Sequence, residues 1–453
     1  MLRLVAEEGL ENAHFFLRSP VVRAFREAGR VVGADELLSW ETAGMELGDA
    51  ALVLEHPRID FPSYPHEWAP EMLVEAGRLT LDLADGLLAE GLGLKDATPY
   101  NILFDGARPV FVDALSIERR DPLDPIWLPM AQFQRTFILP LLALSRGVSL
   151  SRSLGCRREG MTPQELTQLA GPVCRWWPPF LTLATMPALL ASSGRAEATD
   201  LYRPRRCASL DQTEYILRRL FGQLRRQLER VAPPAGRVSA WSGYQDEGCH
   251  YSAADRTAKD RFVDGVLARS APGARVLDVG ANLGRHSRNA ARRGLRVTAV
   301  DSDPVVVGRL WREVSRAGES VLPLVVDLAE PSAGLGWCNS ECRSFLERAR
   351  SWSDVVLLLA VVHHLVVTAR VPLNEVISLA AGLSRDAVVV EYVGPEDTQF
   401  RRLCRGREHL FAGYGQAAWE QAWSREFLLE ERLELPGAGR LLYWFRRRNR
   451  IAG

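Results

Sequence analysis

Arg275-Val-Leu-Asp278 is a short apolar run closed by a carboxylate, and Val279-Gly280-Ala-Asn282-Leu-Gly284 follows it directly. An acid at the end of a buried parallel strand, then two glycines, describes a tight turn whose backbone a ligand can approach closely. Asn282, between the glycines, is the non-glycine residue that best tolerates a left-handed conformation. A helix expected from about Arg285 to Arg293 then points its amino terminus at the ligand. The next apolar run, Arg296-Val-Thr-Ala-Val300-Asp301, ends in a second acid, placed where such folds hydrogen-bond both ribose hydroxyls. These residues together predict a pocket for an adenosine cofactor, with Asp301 as its ribose ligand.

A dinucleotide site needs glycines at three positions of G-x-G-x-x-G, and here Asn282 and Arg285 stand at the second and third. Asp278 would also face a pyrophosphate, whereas it can accept bonds from a cationic or amine-bearing ligand. S-adenosylmethionine has both features. No G-x-x-x-x-G-K-[ST] occurs, which removes the P-loop.

Leu322 to Leu328 reads as a third strand ending at Asp327, and Asp354 to His364 as a fourth. Ala387 to Tyr392 supplies a fifth, and Glu426–Leu435 with Arg440–Phe445 a terminal hairpin across Pro-Gly-Ala-Gly. In this order the motifs resemble class I S-adenosylmethionine-dependent methyltransferases over roughly residues 240 to 450. The resemblance implies an α/β, Rossmann-like and mostly parallel sheet with one strand antiparallel near its end. It also implies that Asp278, Gly280, Asn282 and Gly284 line the methionine end, that Asp301 holds ribose, and that Asp327 and Leu328 face adenine. Asn282 stands where many members have glycine.

Methyl transfer is an in-line displacement, so the enzyme mainly orients the acceptor and removes its proton where needed. His363 and His364 are the candidate general bases, since an unperturbed imidazole titrates near pH 6.5. Glu391, at the end of strand five, is a third catalytic candidate. Otherwise one histidine packs in the core and the other caps a helix. His286 reads as a packing residue. Lys259 is one of only two lysines, and it lies in an aromatic lead-in running from Trp241 and Tyr244 through Tyr251. Lys259, Tyr244 and Tyr251 are candidates to approach the cofactor carboxylate or the acceptor, although the tyrosines read mainly as packing.

The 453 residues suggest two or three domains, with a break at Val231-Ala-Pro-Pro-Ala-Gly236 separating residues 1–232 from 237–453. Equal numbers of basic and acidic residues, 56 of each, argue against nucleic acid and anionic membranes as partners. No leader or spanning segment is evident, and the seven scattered cysteines read as reduced thiols, so a cytoplasmic location is expected. Cys338 and Cys342 alone lie close together, without a second pair for zinc, and no metal site is expected. Leu210 to Leu228 repeats Leu217, Leu220, Phe221, Leu224 and Leu228 at helical spacing, and Thr162-Pro-Gln-Glu165 reads as a capping box.

In the amino-terminal half, Asp105-Gly106 between two apolar runs predicts a tight hairpin with Asp96, Asn101 and Asp113 at its base. That constellation resembles aminoglycoside phosphotransferases, in which the first acid orients the acceptor hydroxyl and the other two residues bind magnesium. Leu94 stands where that family has histidine, and no lysine precedes Lys95. A degenerate, mainly helical kinase-like region that binds substrate or braces the second half is therefore expected. The two halves together resemble bacterial methyltransferases likened to nodulation proteins that modify signalling oligosaccharides. The expected activity is methyl transfer to a small-molecule or glycan-like acceptor. A phosphotransferase, alone or bifunctional, and a non-catalytic protein that senses the cofactor are the alternatives.

Overall fold

The computed structural model describes residues 1–37, 47–192, 206–234, 236–239, 251–435, 437 and 439–448. The chain divides into two compact units, Met1–Pro234 and Ala235–Gly453. Among the described residues no helix is long and apolar enough to cross a membrane.

The first unit contains three small antiparallel sheets and several helices. Strands β1 (Leu2–Val5), β2 (Asp35–Glu36) and β3 (Leu52–Glu55) pair in the order β1-β3-β2, and β4 (Leu92–Leu94) pairs with β7 (Ile117–Arg119). The predicted hairpin is present as β5 (Ile102–Asp105) and β6 (Arg108–Phe111). Its tip lies one residue later than expected, because Asp105 pairs with Arg108 and leaves Gly106-Ala107 as the turn, with Gly106 at φ 59°. The helix Leu210–Val231 buries Leu217, Phe221, Leu224 and Leu228. Leu228 approaches the helix Pro70–Leu87 so closely that a Cβ at Gly77 would meet it at 2.9 Å. Thr162 and Glu165 form the expected capping box.

The second unit is built on a seven-stranded sheet. Its strands are β8 (Arg275–Val279), β9 (Arg296–Asp301), β10 (Val321–Val325), β11 (Ser353–Leu358), β12 (Ser384–Tyr392), β13 (Phe427–Leu435) and β14 (Arg440–Arg447). They lie in the order β10-β9-β8-β11-β12-β14-β13, and β14 alone runs opposite to the other six. Continuous Val and Leu runs in β11 and β12 suit strands covered on both faces by helices. The chain crosses from one side of β8 to the other between β10 and β11. Such a reversal opens a crevice at the carboxyl edge of a doubly wound sheet.

Strand four is shorter than the sequence suggests. It ends at Leu358, and Ala360 adopts φ 55°, which breaks the pairing before His363 and His364. The two histidines instead begin a helical turn continuing through Thr368. After β8 the turn follows expectation, with Gly280, Asn282 and Gly284 all at positive φ, and the helix Arg285–Arg292 starts there. A Cβ at Gly284 would lie 2.3 Å from Leu310 of the next helix, Pro304–Ala317. Gly284→Ala therefore adds both backbone strain and overpacking. It should lower unfolding free energy by about 2–4 kcal/mol, measured by urea denaturation.

Candidate functional site

The carboxyl edges of β8 to β11 open onto two neighbouring cavities that share Gly280, Asn282, Leu359 and Ala360. The larger, of about 310 Å³, is lined by Asp301, Asp327, Leu328 and His364 among others. Asp301 is fixed there by backbone amides: Asn282 donates to Oδ2 at 2.9 Å and Asp303 to Oδ1 at 3.0 Å. Burial raises its pKa in spite of those bonds. Asp327 accepts from the amide of Ala329 at 2.9 Å. A Cβ at Gly280 would meet Val361 at 2.7 Å, so only glycine permits the turn after β11 to pack against this loop.

The smaller cavity, of about 120 Å³, is lined by Tyr251, Arg256, Lys259, Asp278, Arg285 and His286 among others. Asp278 is buried at the end of β8, and the Ser287 hydroxyl donates to it at 2.6 Å. Burial outweighs this bond and pushes the carboxyl up to about 6. Lys259 comes from the helix Ala253–Leu267 and donates to Glu391 at 2.6 Å.

Glu391 lines neither cavity and is completely buried. Burial alone would raise its carboxyl, but Lys259 and Arg440 beside it overcome that and hold it at about 2. The Tyr251 hydroxyl also donates to it. The paired histidines separate in the same way. Their ring centroids lie 4.2 Å apart, yet only His364 lines a cavity. His363 is 2% exposed, its Nδ1 has no hydrogen-bond partner among the described residues, and burial drives its pKa down to about 3. Gly284 lines neither of these two cavities, since it packs beneath the loop against Leu310.

No family model matches the chain. Among curated proteins, nodulation protein NoeA of Rhizobium meliloti (strain 1021) is 31% identical over 404 residues, covering 88% of this chain and 83% of that protein. The chain belongs to the NoeA family. Among solved structures it is similar to the N-methyltransferase NodS from Bradyrhizobium japonicum WM9, at 14% identity and a TM-score of 0.32, covering 44% of this chain and 99% of NodS. It is also similar to magnesium protoporphyrin IX methyltransferase from Synechocystis PCC 6803 with bound S-adenosylhomocysteine, at 19% identity and a TM-score of 0.31, covering 47% and 90%.

In the first unit, backbone bonds from Val112 to Asn101 and from Lys95 to Ser116 gather Asp96, Asn101 and Asp113 around the β5–β6 hairpin. Asp113 is committed to Arg3, whose guanidinium donates to it at 3.0 Å. The side chain of Gln132 donates to Asp96 at 3.4 Å. Among the described residues no cluster of three or more His, Cys, Asp or Glu could hold a metal ion. Trp241 and Tyr244 lie outside the described residues.

The cavity position of His286 and the part Arg440 plays behind the site were not legible. His286 lines the smaller cavity with an unpartnered Nδ1 and a pKa driven down to about 3, first by burial and then by Lys259. Its position two residues after the last glycine of the turn was the available signal. Arg440 offered none, because it meets Tyr251 across 189 positions of sequence.

The raised pKa of Asp278 has a stability consequence. The folded state prefers the protonated carboxyl, so that stabilisation is full below the ordinary value of 3.8 and is lost as pH rises through about 6. Asp278→Asn imitates the protonated form and should make the protein less sensitive to pH. Its melting temperature relative to wild type should climb between pH 4 and 6 and level off above.

Proposed function

We propose that the second unit is an S-adenosylmethionine-dependent methyltransferase acting on a small-molecule or glycan-like acceptor. The observation that carries this is the pair of cavities meeting at Gly280, with Asp278 on one side and Asp301 on the other. Their contents match the two halves of the cofactor. Asp278 and Lys259 offer opposite charges to an ammonium and a carboxylate, Asp301 accepts from ribose hydroxyls, and Leu328 with Asp327 borders the adenine.

When bound, S-adenosylmethionine supplies an activated methyl group. The protein orients the acceptor beside it and takes up the acceptor's proton. His364 is the group for that task, since it lines the larger cavity and burial, which lowers its pKa, leaves the imidazole in the neutral form that a general base requires. His363 packs behind it. Glu391, doubly ion-paired and withdrawn from both cavities, holds Lys259 instead of removing a proton. The first unit serves an accessory role in place of phosphotransfer, because Arg3 pairs with Oδ1 of the carboxylate that magnesium would need.

Calorimetry tests this reading. S-adenosylmethionine should bind saturably, and Asp301→Ala should weaken it at least about tenfold, the effect expected for losing a charged hydrogen-bond acceptor. Affinity should rise as pH passes through about 6 and Asp278 ionises, and Asp278→Asn should flatten that dependence. The absence of saturable binding by the wild type would refute the proposal. A parallel titration with magnesium and ATP should give no saturable heat; binding that disappears in Asp113→Ala would favour the phosphotransferase alternative.

A further inference from the structure

Four charged side chains alternate in sign away from the smaller cavity: Lys259, Glu391, Arg440 and Asp397. Lys259 reaches Glu391 at 2.6 Å, Arg440 reaches the same carboxylate at 3.4 Å, and Arg440 Nε donates to Asp397 at 2.8 Å. Glu391 and Arg440 are wholly buried, and Asp397 nearly so. The Tyr251 hydroxyl sits at the junction. It donates to Glu391 and accepts from Arg440 and, at 3.4 Å, from Lys259.

We infer that Arg440 is a positioning residue for recognition of the cofactor's amino-acid carboxylate, acting through Glu391 and Tyr251 to aim Lys259 into the smaller cavity. This rests on the methyltransferase reading and adds a role to a residue that touches neither cavity. An ammonium has three donors. Among the described residues Glu391 and Tyr251 engage two of those on Lys259, and the third is left for a ligand. By sharing Glu391, Arg440 also prevents that carboxylate from cancelling the charge of Lys259 alone. Asp397 offsets the extra cation, so the positive end of the chain faces the cavity.

A second link holds the same helix in register. Asp255, paired with Ser252 in the capping box at its amino terminus, accepts from the amide of Gly437 at 3.3 Å in the turn between β13 and β14. The hairpin that carries Arg440 thus reaches the helix carrying Lys259 directly at Asp255 and, through Glu391, at Lys259.

The test compares S-adenosylhomocysteine, which carries the amino-acid carboxylate, with 5′-methylthioadenosine, which lacks it. Binding of both to the full chain is measured by calorimetry for wild type, Arg440→Met, Lys259→Met and the double variant. Arg440→Met should weaken S-adenosylhomocysteine about tenfold or more and leave methylthioadenosine within about twofold. The double variant should lose no more than Lys259→Met alone, because both substitutions remove one interaction. Unchanged S-adenosylhomocysteine binding in Arg440→Met, an equal loss for both ligands, or additive losses would each overturn the inference. Should Arg440→Met not fold, Asp397→Asn replaces it, with a smaller loss expected in the same ligand only and an equal loss in both overturning the inference. Wild type that binds neither ligand removes the methyltransferase reading itself.

Discussion

A carboxylate withdrawn completely from water must be matched by charge, and Glu391 imposes that requirement on the second unit. The desolvation of one unpaired ion costs several kcal/mol, more than most single contacts return. Its partners come from three directions: Lys259 from the helix ahead of the sheet, Arg440 from the antiparallel strand β14, and Tyr251 from the segment before that helix. Satisfying Glu391 therefore fixes the wall of the smaller cavity against the sheet. The same device binds the terminal hairpin to the cavity that it never touches.

The carboxylates facing the cavities are treated differently. Asp301 receives two backbone amides and Asp327 one, so the loops themselves define where those acids stand. Asp278 receives only Ser287, and its charge is correspondingly costly until a cation arrives. Rigid acceptors at one end and an electrostatically unsatisfied acid at the other suit a ligand whose sugar must be located and whose amine must be attracted.

The loop after β8 was legible because left-handed backbone restricts residue choice: Gly280, Asn282 and Gly284 announce the turn, and all three have positive φ. The antiparallel final pair was legible for a similar reason, since two apolar runs flank a Pro-Gly-Ala-Gly turn. The end of strand four was hidden. Apolar residues continue past Leu358, and the break falls at Ala360, whose side chain gives no warning of a left-handed conformation. That displacement separates His364, at a cavity, from His363 in the core. The buried charge chain was equally hidden, for each pair joins elements distant in sequence and arginine is too common here to mark one of them.

The central claim is that one ligand spans both cavities, methionine end on Asp278 and Lys259 and ribose on Asp301. A crystal structure with S-adenosylhomocysteine tests it most directly. The account predicts the homocysteine moiety in the smaller cavity, the ribose hydroxyls on Asp301 and the adenine beside Leu328. A ligand lying in the reverse direction, or an empty cleft at saturating concentration, would contradict it.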